Sequence, residues 1–266
     1  MAKSERSKVF LSDDADPEMQ RAYAKARANF RYFWREVAWD RRRIVPALQL
    51  ACVKAPFSDG KDKSKVEQMW LSEVDFDGHF VSGVLLNSPN WLKTVKEGDA
   101  ARRRLGEISD WMYAIDGHVF GAYTVNLLRS RMGRRERQEH DDAWGLNFGD
   151  PAKTRVVPEP GMEGPVLKSW FEKRQGDPSE HPMSVTMASS LRDRLAENPK
   201  LASETDARGW TLLHQEALAG NQATVQVLLE AGADPDAITN NDMTALDLAE
   251  SLGWGNIAEL LESRRK

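Results

Sequence analysis

The sequence predicts an α+β N-terminal domain followed by an all-α repeat domain, and three observations support this fold class. An apolar stripe with helical spacing lies near the start of the chain. Runs with strand character and short turns follow it up to about residue 124. A motif then recurs after 33 residues close to the C-terminus. We therefore expect a long helix, a curved antiparallel sheet and a closing helix, and then a stack of helix pairs.

A long helix is predicted from about Pro17 to Arg42. Asp16 suits the N-cap position and Pro17 suits the first turn, as at many helix starts. The inner face carries an apolar residue at every third or fourth position. These residues are Met19, Tyr23, Ala26, Phe30, Phe33 and Val37. The basic triplet at residues 41–43 suits a solvated helix C-terminus, with a phosphate-binding patch as the alternative.

From Ala47 onward the pattern favours strands joined by short turns. Asp77-Gly78 and Asp116-Gly117 are typical hairpin dipeptides. The predicted strands cover residues 48–57, 66–76, 79–86, 103–115 and 119–124. A basic helix over about residues 124–138 closes the domain. Cys52 is the single cysteine, which excludes an internal disulfide, and its apolar surroundings predict a buried strand residue rather than a nucleophile.

The chain is expected to divide into four segments. Residues 1–14 are predicted to be disordered, residues 15–140 to form the α+β domain, residues 141–182 to form an irregular connector, and residues 183–266 to form the repeats. The connector is rich in Pro and Gly, but its four aromatic residues predict that it is docked rather than free. They are Trp144, Phe148, Trp170 and Phe171. No stretch resembles a signal peptide or a membrane span, which predicts a cytoplasmic protein.

Several short runs in the first domain resemble a known bacterial family. They are Lys54 with Phe57, Glu67 with Met69 and Trp70, Gly83, Asn87 with Pro89, Gly98-Asp99, Asp110-Trp111, and Gly121 with Tyr123 and Thr124. Over most of residues 20–135 the chain is similar to the YegJ-like domain of unknown function, number 2314. The resemblance implies a related fold and brings no established activity. This chain has Gln68 where the family often has His, which argues against a metal or acid–base role at that position.

The repeated motif carries a second resemblance. Thr211-Leu212-Leu213-His214 and Thr244-Ala245-Leu246-Asp247 lie 33 residues apart, and Gly220 and Gly253 follow them at the same offset. This pattern is similar to ankyrin repeats, in which Thr begins the first helix and Gly lies between two helices. We expect a partial cap and two full repeats. His214 is predicted to be structural, joining neighbouring loops through both ring nitrogens.

Charge is distributed unevenly along the chain. Residues 183–266 hold seven Lys and Arg against 13 Asp and Glu, a formal charge of −6, whereas residues 1–182 carry +2. An acidic array disfavours nucleic acid as a partner, because phosphate binding needs a cationic surface. A run of arginines in the closing helix is the alternative nucleic-acid surface, although a solvated helix end is the preferred interpretation. It comprises Arg129, Arg131, Arg134, Arg135 and Arg137.

No familiar catalytic motif is present in the sequence, so no catalytic residue, metal or cofactor is predicted. His140-Asp141-Asp142 and Glu180-His181 could supply metal ligands or acid–base groups, but their spacing matches no known motif. Lys54, Glu67 and Asp110 could converge in a cleft. Because each lies in a strand pattern, a buried ion pair or a turn hydrogen bond is preferred.

The predicted function is protein–protein interaction, because ankyrin arrays recognise partners with hairpin tips and first-helix residues. The predicted partner-binding residues are Arg208, Trp210, Gln215, Leu218, Asn241, Met243, Leu248, Ser251 and Trp254. Trp210 and Trp254 lie outside the ankyrin core pattern, so both are expected to be exposed, with Trp210 at the centre of the surface. The specific form of this hypothesis is an immunity-type inhibitor that neutralises a basic toxin. The alternative is an enzyme with its site in the YegJ-like domain.

Overall fold

The computed structural model describes residues 16–60, 66–173 and 180–265. The predicted disordered N-terminus, residues 1–14, lies outside these ranges. Within them the chain forms a long helix, a six-stranded sheet and a helical second half. The strands are β1 (Leu48–Phe57), β2 (Glu67–Phe76), β3 (Phe80–Leu85), β4 (Ala100–Arg104), β5 (Asp110–Ile115) and β6 (His118–Gly121). The helices are α1 (Pro17–Asp40), α2 (Tyr123–Arg131), α3 (Arg134–Trp144), α4 (Pro165–Glu172), α5 (Pro182–Glu197), α6 (Leu212–Ala219), α7 (Gln222–Glu230), α8 (Ala245–Ser251) and α9 (Gly255–Glu262).

The sheet is antiparallel, with the strand order β4-β3-β2-β1-β5-β6. Val53 in β1 lies opposite Leu71 in β2 and opposite Trp111 in β5, and all three are fully buried. α1 packs on this face, and its predicted apolar stripe is buried along its whole length. Trp111 Nε1 donates a hydrogen bond to the Ala26 carbonyl of α1 at 2.7 Å. The predicted α+β fold is confirmed.

Two predicted elements are wrong in their extent. The predicted strand over residues 103–115 is divided into β4 and β5, because Leu105–Glu107 form a single 3-10 turn between them. The predicted closing helix over residues 124–138 is two helices, α2 and α3, with Gly133 in an extended conformation between them. Glycine is a weak helix former, which favours a break at this position.

The second half consists of helix pairs whose local structure recurs after 33 residues. Thr211 and Thr244 each begin the first helix of a pair, α6 and α8, through a reciprocal capping box. The loop before each helix is closed by an equivalent backbone hydrogen bond. α6 packs on α7 and α8 packs on α9. Gly220 ends α6 with φ +76°, and a Cβ there would collide with the Trp254 indole.

The described part of the predicted connector, residues 141–182, packs on the rest of the protein. Phe148, Leu167 and Trp170 are buried, whereas Trp144 keeps 39% of its surface exposed. The segment is not irregular throughout, because α4 lies within it. Its expected limits, and those of the neighbouring domains, stay a prediction. None of the helices in the described ranges is long and apolar enough to cross a membrane.

α1 is covered on two sides, by the sheet and by the helical array. Its apolar stripe faces the sheet, while its other side contacts α6. For this reason Arg35 and Glu36 are only 2% and 0% exposed, although both are charged. Charged side chains are rarely buried without partners, and Glu36 Oε1 lies 3.2 Å from Nε2 of His181 at the start of α5. The two halves share one continuous apolar core.

Candidate functional site

Most of the predicted partner-binding residues are buried, and the prediction that Trp210 and Trp254 are exposed is wrong. Trp210 is 4% exposed and Trp254 is 7% exposed. The five buried residues are Trp210, Leu218, Met243, Leu248 and Trp254. The four accessible residues are Arg208 and Asn241, which are exposed, and Gln215 and Ser251, which are partly exposed. The role of the accessible residues in partner binding stays a prediction.

Trp210 is buried because the first domain reaches the loop that holds it. The Arg208 guanidinium lies 4.8 Å from the indole centroid and forms an ion pair at 3.3 Å with Asp75 in β2. Arg41, directly after α1, binds the other oxygen of Asp75 at 2.8 Å. The indole belongs to the same apolar core as Phe76. Arg208 therefore joins the loop that holds Trp210 to the first domain.

Trp254 is covered by the outer side of α1. The Tyr32 ring meets its indole edge-to-face, with centroids 6.0 Å apart. The guanidinium groups of Arg31 and Arg35 lie over the indole at 5.4 and 5.6 Å. Trp254 Nε1 donates to the Leu218 carbonyl at 3.1 Å, and Arg31 donates to the carbonyl just before Trp254 at 2.8 Å. This indole is therefore part of an internal interface.

A third contact joins the turn between β2 and β3 to the second repeat. Gly78 lies in this turn with φ +97°, and Met243 and Leu248 pack against it. A Cβ at Gly78 would press on the Leu248 side chain, so the turn needs glycine both for its backbone angle and for this approach. Two residues expected to contact a partner therefore contact the protein's own sheet.

Polar side chains at the junction between the end of α1 and the array form a network around Glu216 of α6. Its Oε1 accepts from Arg42 Nη1 at 2.6 Å. Its Oε2 accepts from Asn221 Nδ2 and Thr224 Oγ1, each at 2.8 Å. Asn221 Oδ1 in turn accepts from Trp39 Nε1 at 2.9 Å. A buried carboxylate with this many donors is satisfied, so the network stabilises the junction rather than offering a free site.

Among the concave surfaces of the described residues, two are lined by both the first domain and the array and are large enough to hold part of a partner. The first, termed the α8 cleft, has a volume of about 670 Å³ and lies between the sheet and the second repeat. The sheet contributes Gly78, His79, Phe80, Arg104, Leu105 and Gly106 to its lining. The array contributes Met243, Asp247, Glu250 and Ser251. Asp247 and Glu250 are exposed, so two carboxylates of the array are accessible at this cleft.

The second surface, termed the Ile44 groove, has a volume of about 550 Å³ and lies at the other end of the array. It is formed by the loop after α1, by α4 and by the start of α5. Sequence reasoning missed this groove, because its walls come from three distant segments. One signal was present, since Ile44-Val45 is an apolar pair between the basic triplet and Pro46, outside every predicted element.

The His and Asp residues considered as metal or acid–base groups are engaged in other contacts. His140 Nδ1 lies 2.9 Å from Asp141 Oδ1, and Asp141 also pairs with Arg129. His181 Nδ1 accepts from the Met183 N–H at 3.1 Å as the N-cap of α5. Among residues 16–60, 66–173 and 180–265, no group of three or more His, Cys, Asp or Glu side chains could hold a metal ion.

The charged residues of the sheet serve two separate turns. Glu67 accepts from the Asn90 backbone N–H at 2.8 Å and from its amide at 2.6 Å. Asp110 accepts from two N–H groups at the start of α2, at 2.9 and 2.7 Å. Burial raises the pKa of Asp110, and the nearby Lys54 ammonium opposes that rise. The preferred interpretation from the sequence is a buried ion pair or a turn hydrogen bond. Glu67 makes hydrogen bonds of the second kind, and Asp110 binds the start of α2 close to the Lys54 ammonium.

Four of the five arginines in the predicted closing helix have partners within the protein. Arg129 forms its ion pair with Asp141, and Arg135 forms one with Glu139. Arg131 binds two carboxylates at the start of α1. Arg137 donates to two backbone carbonyls. Because nucleic-acid binding depends on cations that are free to neutralise phosphates, this arrangement favours the structural interpretation.

Comparison with known proteins identifies both parts of the chain. A family of uncharacterized proteins conserved in bacteria, DUF2314, matches residues 16–148, and the ankyrin repeat family matches residues 208–240. An ankyrin repeat protein of Neisseria meningitidis serogroup B is 41% identical over 260 residues, covering 97% of this chain and 98% of that protein. The uncharacterized protein YegJ of Escherichia coli is 31% identical over 87 residues, which are 33% of this chain and 55% of YegJ.

Among solved structures, this protein matches one chain of a complex between a predatory endopeptidase from Bdellovibrio bacteriovorus and an immunity protein. The TM-score is 0.29 and the identity is 22%, and the match covers 38% of this chain and 57% of that chain. The fold and the family matches define a two-part protein in which an α+β domain is joined to an ankyrin repeat. The chain belongs to the DUF2314 family, as its YegJ-like motifs predict.

Proposed function

We propose that the protein is a binding module whose protein partner contacts the α8 cleft and the neighbouring hairpin tips. The observation that supports this most is that both halves of the molecule line one open cleft beside the array. Repeat arrays use such concave surfaces to bind other proteins. Met243 and Ser251 of the predicted set line the cleft, and Arg208 and Asn241 are exposed on the hairpin tips.

Charge favours a partner that presents a basic segment to this surface. Asp247 and Glu250 are accessible at the cleft, where they outnumber the one exposed lining arginine, Arg104, and the array as a whole carries −6. Complementary charge raises the association rate and excludes wrong partners. In its specific form, the proposal is that the protein is an immunity-type inhibitor that binds and neutralises a basic toxin. The proposed location of the protein is the cytoplasm.

Affinity capture with the full chain tests the binding surface. Glu250 is exposed, so Glu250→Arg reverses a charge at the cleft without disturbing the core. We expect wild type to capture a stoichiometric protein partner at low salt and this variant to lose it. Glu259→Arg, exposed on α9 and outside the cleft, is the matched control and should capture normally. Equal capture by wild type and Glu250→Arg would place the partner elsewhere.

The captured partner then tests the immunity form. If the partner inhibits bacterial growth, co-expression of wild type should relieve the inhibition and co-expression of Glu250→Arg should not. A partner without toxicity would exclude the immunity form while leaving the binding surface in place.

A further inference from the structure

The Ile44 groove is bordered by the two most exposed large hydrophobic residues of the described part of the chain. Ile44 is 102% exposed and Val45 is 77% exposed. Both lie in the loop between α1 and β1 and line the groove. Single exposed apolar residues are common on protein surfaces, but an exposed pair beside an apolar concavity is typical of a binding site.

The groove itself is apolar and aromatic. Trp39 and Trp170 contribute to its walls, and Val166, Met183 and Met187 add further apolar surface. Methionine adapts its shape to different partners, and tryptophan is enriched at interfaces. The volume of about 550 Å³ is that of a small-ligand site, and it can accept several aliphatic side chains of a bound peptide.

The charged residues that line the groove are cations. They are Arg42, Arg43 and Lys173, and no carboxylate is among the described lining residues. The Arg42 side chain is 30% exposed and its partner Glu216 only 6%, whereas Arg43 and its partner Asp40 are both largely covered, at 14% and 16%. Arg42 and Lys173 are exposed, so these two cations give the rim of the apolar groove its basic surface.

We propose that the Ile44 groove binds an acidic amphipathic helix of a partner protein. A helix of this type inserts its apolar face into a hydrophobic groove while its charged face meets the complementary rim. A second copy of the chain fits less well, because two apposed grooves would bring their cations together. A flat lipid surface would leave the concavity unfilled. This inference goes beyond the proposed function, because α5 and α8 lie at opposite ends of the array.

Peptide binding to the full chain tests the inference. The probe is a fluorescein-labelled helical peptide of about 16 residues, with Leu at positions i, i+3, i+4 and i+7 and Glu elsewhere. We expect fluorescence anisotropy to give a Kd on the order of 10 µM. The same peptide with Lys in place of Glu should bind at least about tenfold more weakly. Equal or tighter binding of the Lys peptide would overturn the inference.

Substitution locates the peptide on the protein. Ile44→Asp should weaken binding of the acidic peptide at least about tenfold, since it places a carboxylate on the rim. The side chain is fully exposed, so the fold should be unaffected, which circular dichroism checks. Ile238→Asp is the matched control, because Ile238 is 57% exposed outside the groove. Unchanged binding to Ile44→Asp, or an equal loss in the control, would overturn the inference.

Two further measurements test whether a second copy of the chain or a membrane occupies the groove instead of a partner helix. If the protein forms a dimer that depends on concentration and on Ile44, the occupant of the groove is a second copy of the chain and not a partner helix. Binding to anionic phospholipid vesicles that Ile44→Asp abolishes would replace it by a membrane. Glu250→Arg should bind the acidic peptide as wild type does, so failure of this inference and failure of the proposed function are distinguishable.

Discussion

The Trp210 indole fills space in the core shared by both halves, so its truncation should destabilise the fold. Replacing a buried Trp with Ala leaves a cavity and costs about 3–5 kcal/mol. We expect Trp210→Ala to lower the free energy of unfolding by this amount in urea denaturation. Arg208→Ala is the control, since it removes a half-exposed ion pair with Asp75 and should cost less than about 1 kcal/mol. A Trp210→Ala variant as stable as wild type would contradict the burial.

His214 joins two loops through both ring nitrogens, as the sequence predicts. Its Nδ1 accepts from the Thr211 N–H at 3.1 Å, and its Nε2 donates to the Ala237 carbonyl at 2.9 Å. Burial lowers the pKa of His214 below its usual value, and burial also lowers the pKa of His181. Protonation of either ring in the folded protein is therefore unfavourable.

The free energy of unfolding should fall as the solution becomes acidic. A histidine with a lowered pKa binds fewer protons when folded, so its contribution is fully present above the unfolded pKa of about 6.5 and is lost as the pH drops below it. We expect urea denaturation to show lower stability at about pH 5.5 than at about pH 7.5. His214→Gln should show a smaller difference. An equal difference in both proteins would assign the pH dependence to other groups.

The two buried tryptophans show how far single residues could be predicted from sequence. Trp210 and Trp254 lie outside the ankyrin core pattern, and the exposure predicted from that observation is wrong. A sequence does not show whether the contacting surface belongs to another chain or to the same one. Tyr32 and Arg35, which cover Trp254, lie off the apolar stripe of α1. Their polar groups are typical of a helix face that is exposed to solvent.

At the scale of the elements, the capping box at the start of α8 should contribute to the stability of the fold. Thr244 Oγ1 accepts from the Asp247 N–H, and the Asp247 carboxylate accepts from the Thr244 N–H at 2.8 Å. Replacing such an N-cap by Ala costs about 1 kcal/mol. We expect Thr244→Ala to lower the melting temperature, while Thr244→Ser, which keeps the hydroxyl, stays close to wild type. Equal melting temperatures of the Ala and Ser variants would contradict the role of the cap.

Strong periodicity decided which elements could be predicted. α1 and β1 follow clear apolar patterns, and their predicted limits lie within about two residues of the structure. α3 has no buried residue, so no apolar pattern marks its separation from α2. The Ile44 groove could not be predicted at all, since its walls come from segments that only the tertiary fold brings together.

On the scale of the whole molecule, the shared core predicts cooperative unfolding. Leu228 in α7 is fully buried in the core that also contains Val53 of β1. Leu228→Ala should cost about 2–5 kcal/mol. We expect native-state hydrogen exchange of the slowest amides in β1 and β5 to accelerate as much as exchange in α7. Faster exchange confined to the array would instead show two units that unfold separately.

The covering of α1 on two sides has a consequence for the order in which the protein is synthesised. The sheet that covers one side of α1 follows directly in the chain, whereas α6 and Trp254, which cover the other side, are made last. At synthesis rates of about 5–20 residues per second, the time between completion of the sheet and synthesis of Trp254 is on the order of 10–30 s. Throughout it the nascent chain presents Tyr32, Arg35 and Glu36 uncovered. Docking of these later repeats is therefore the step that removes this side of the helix from solvent.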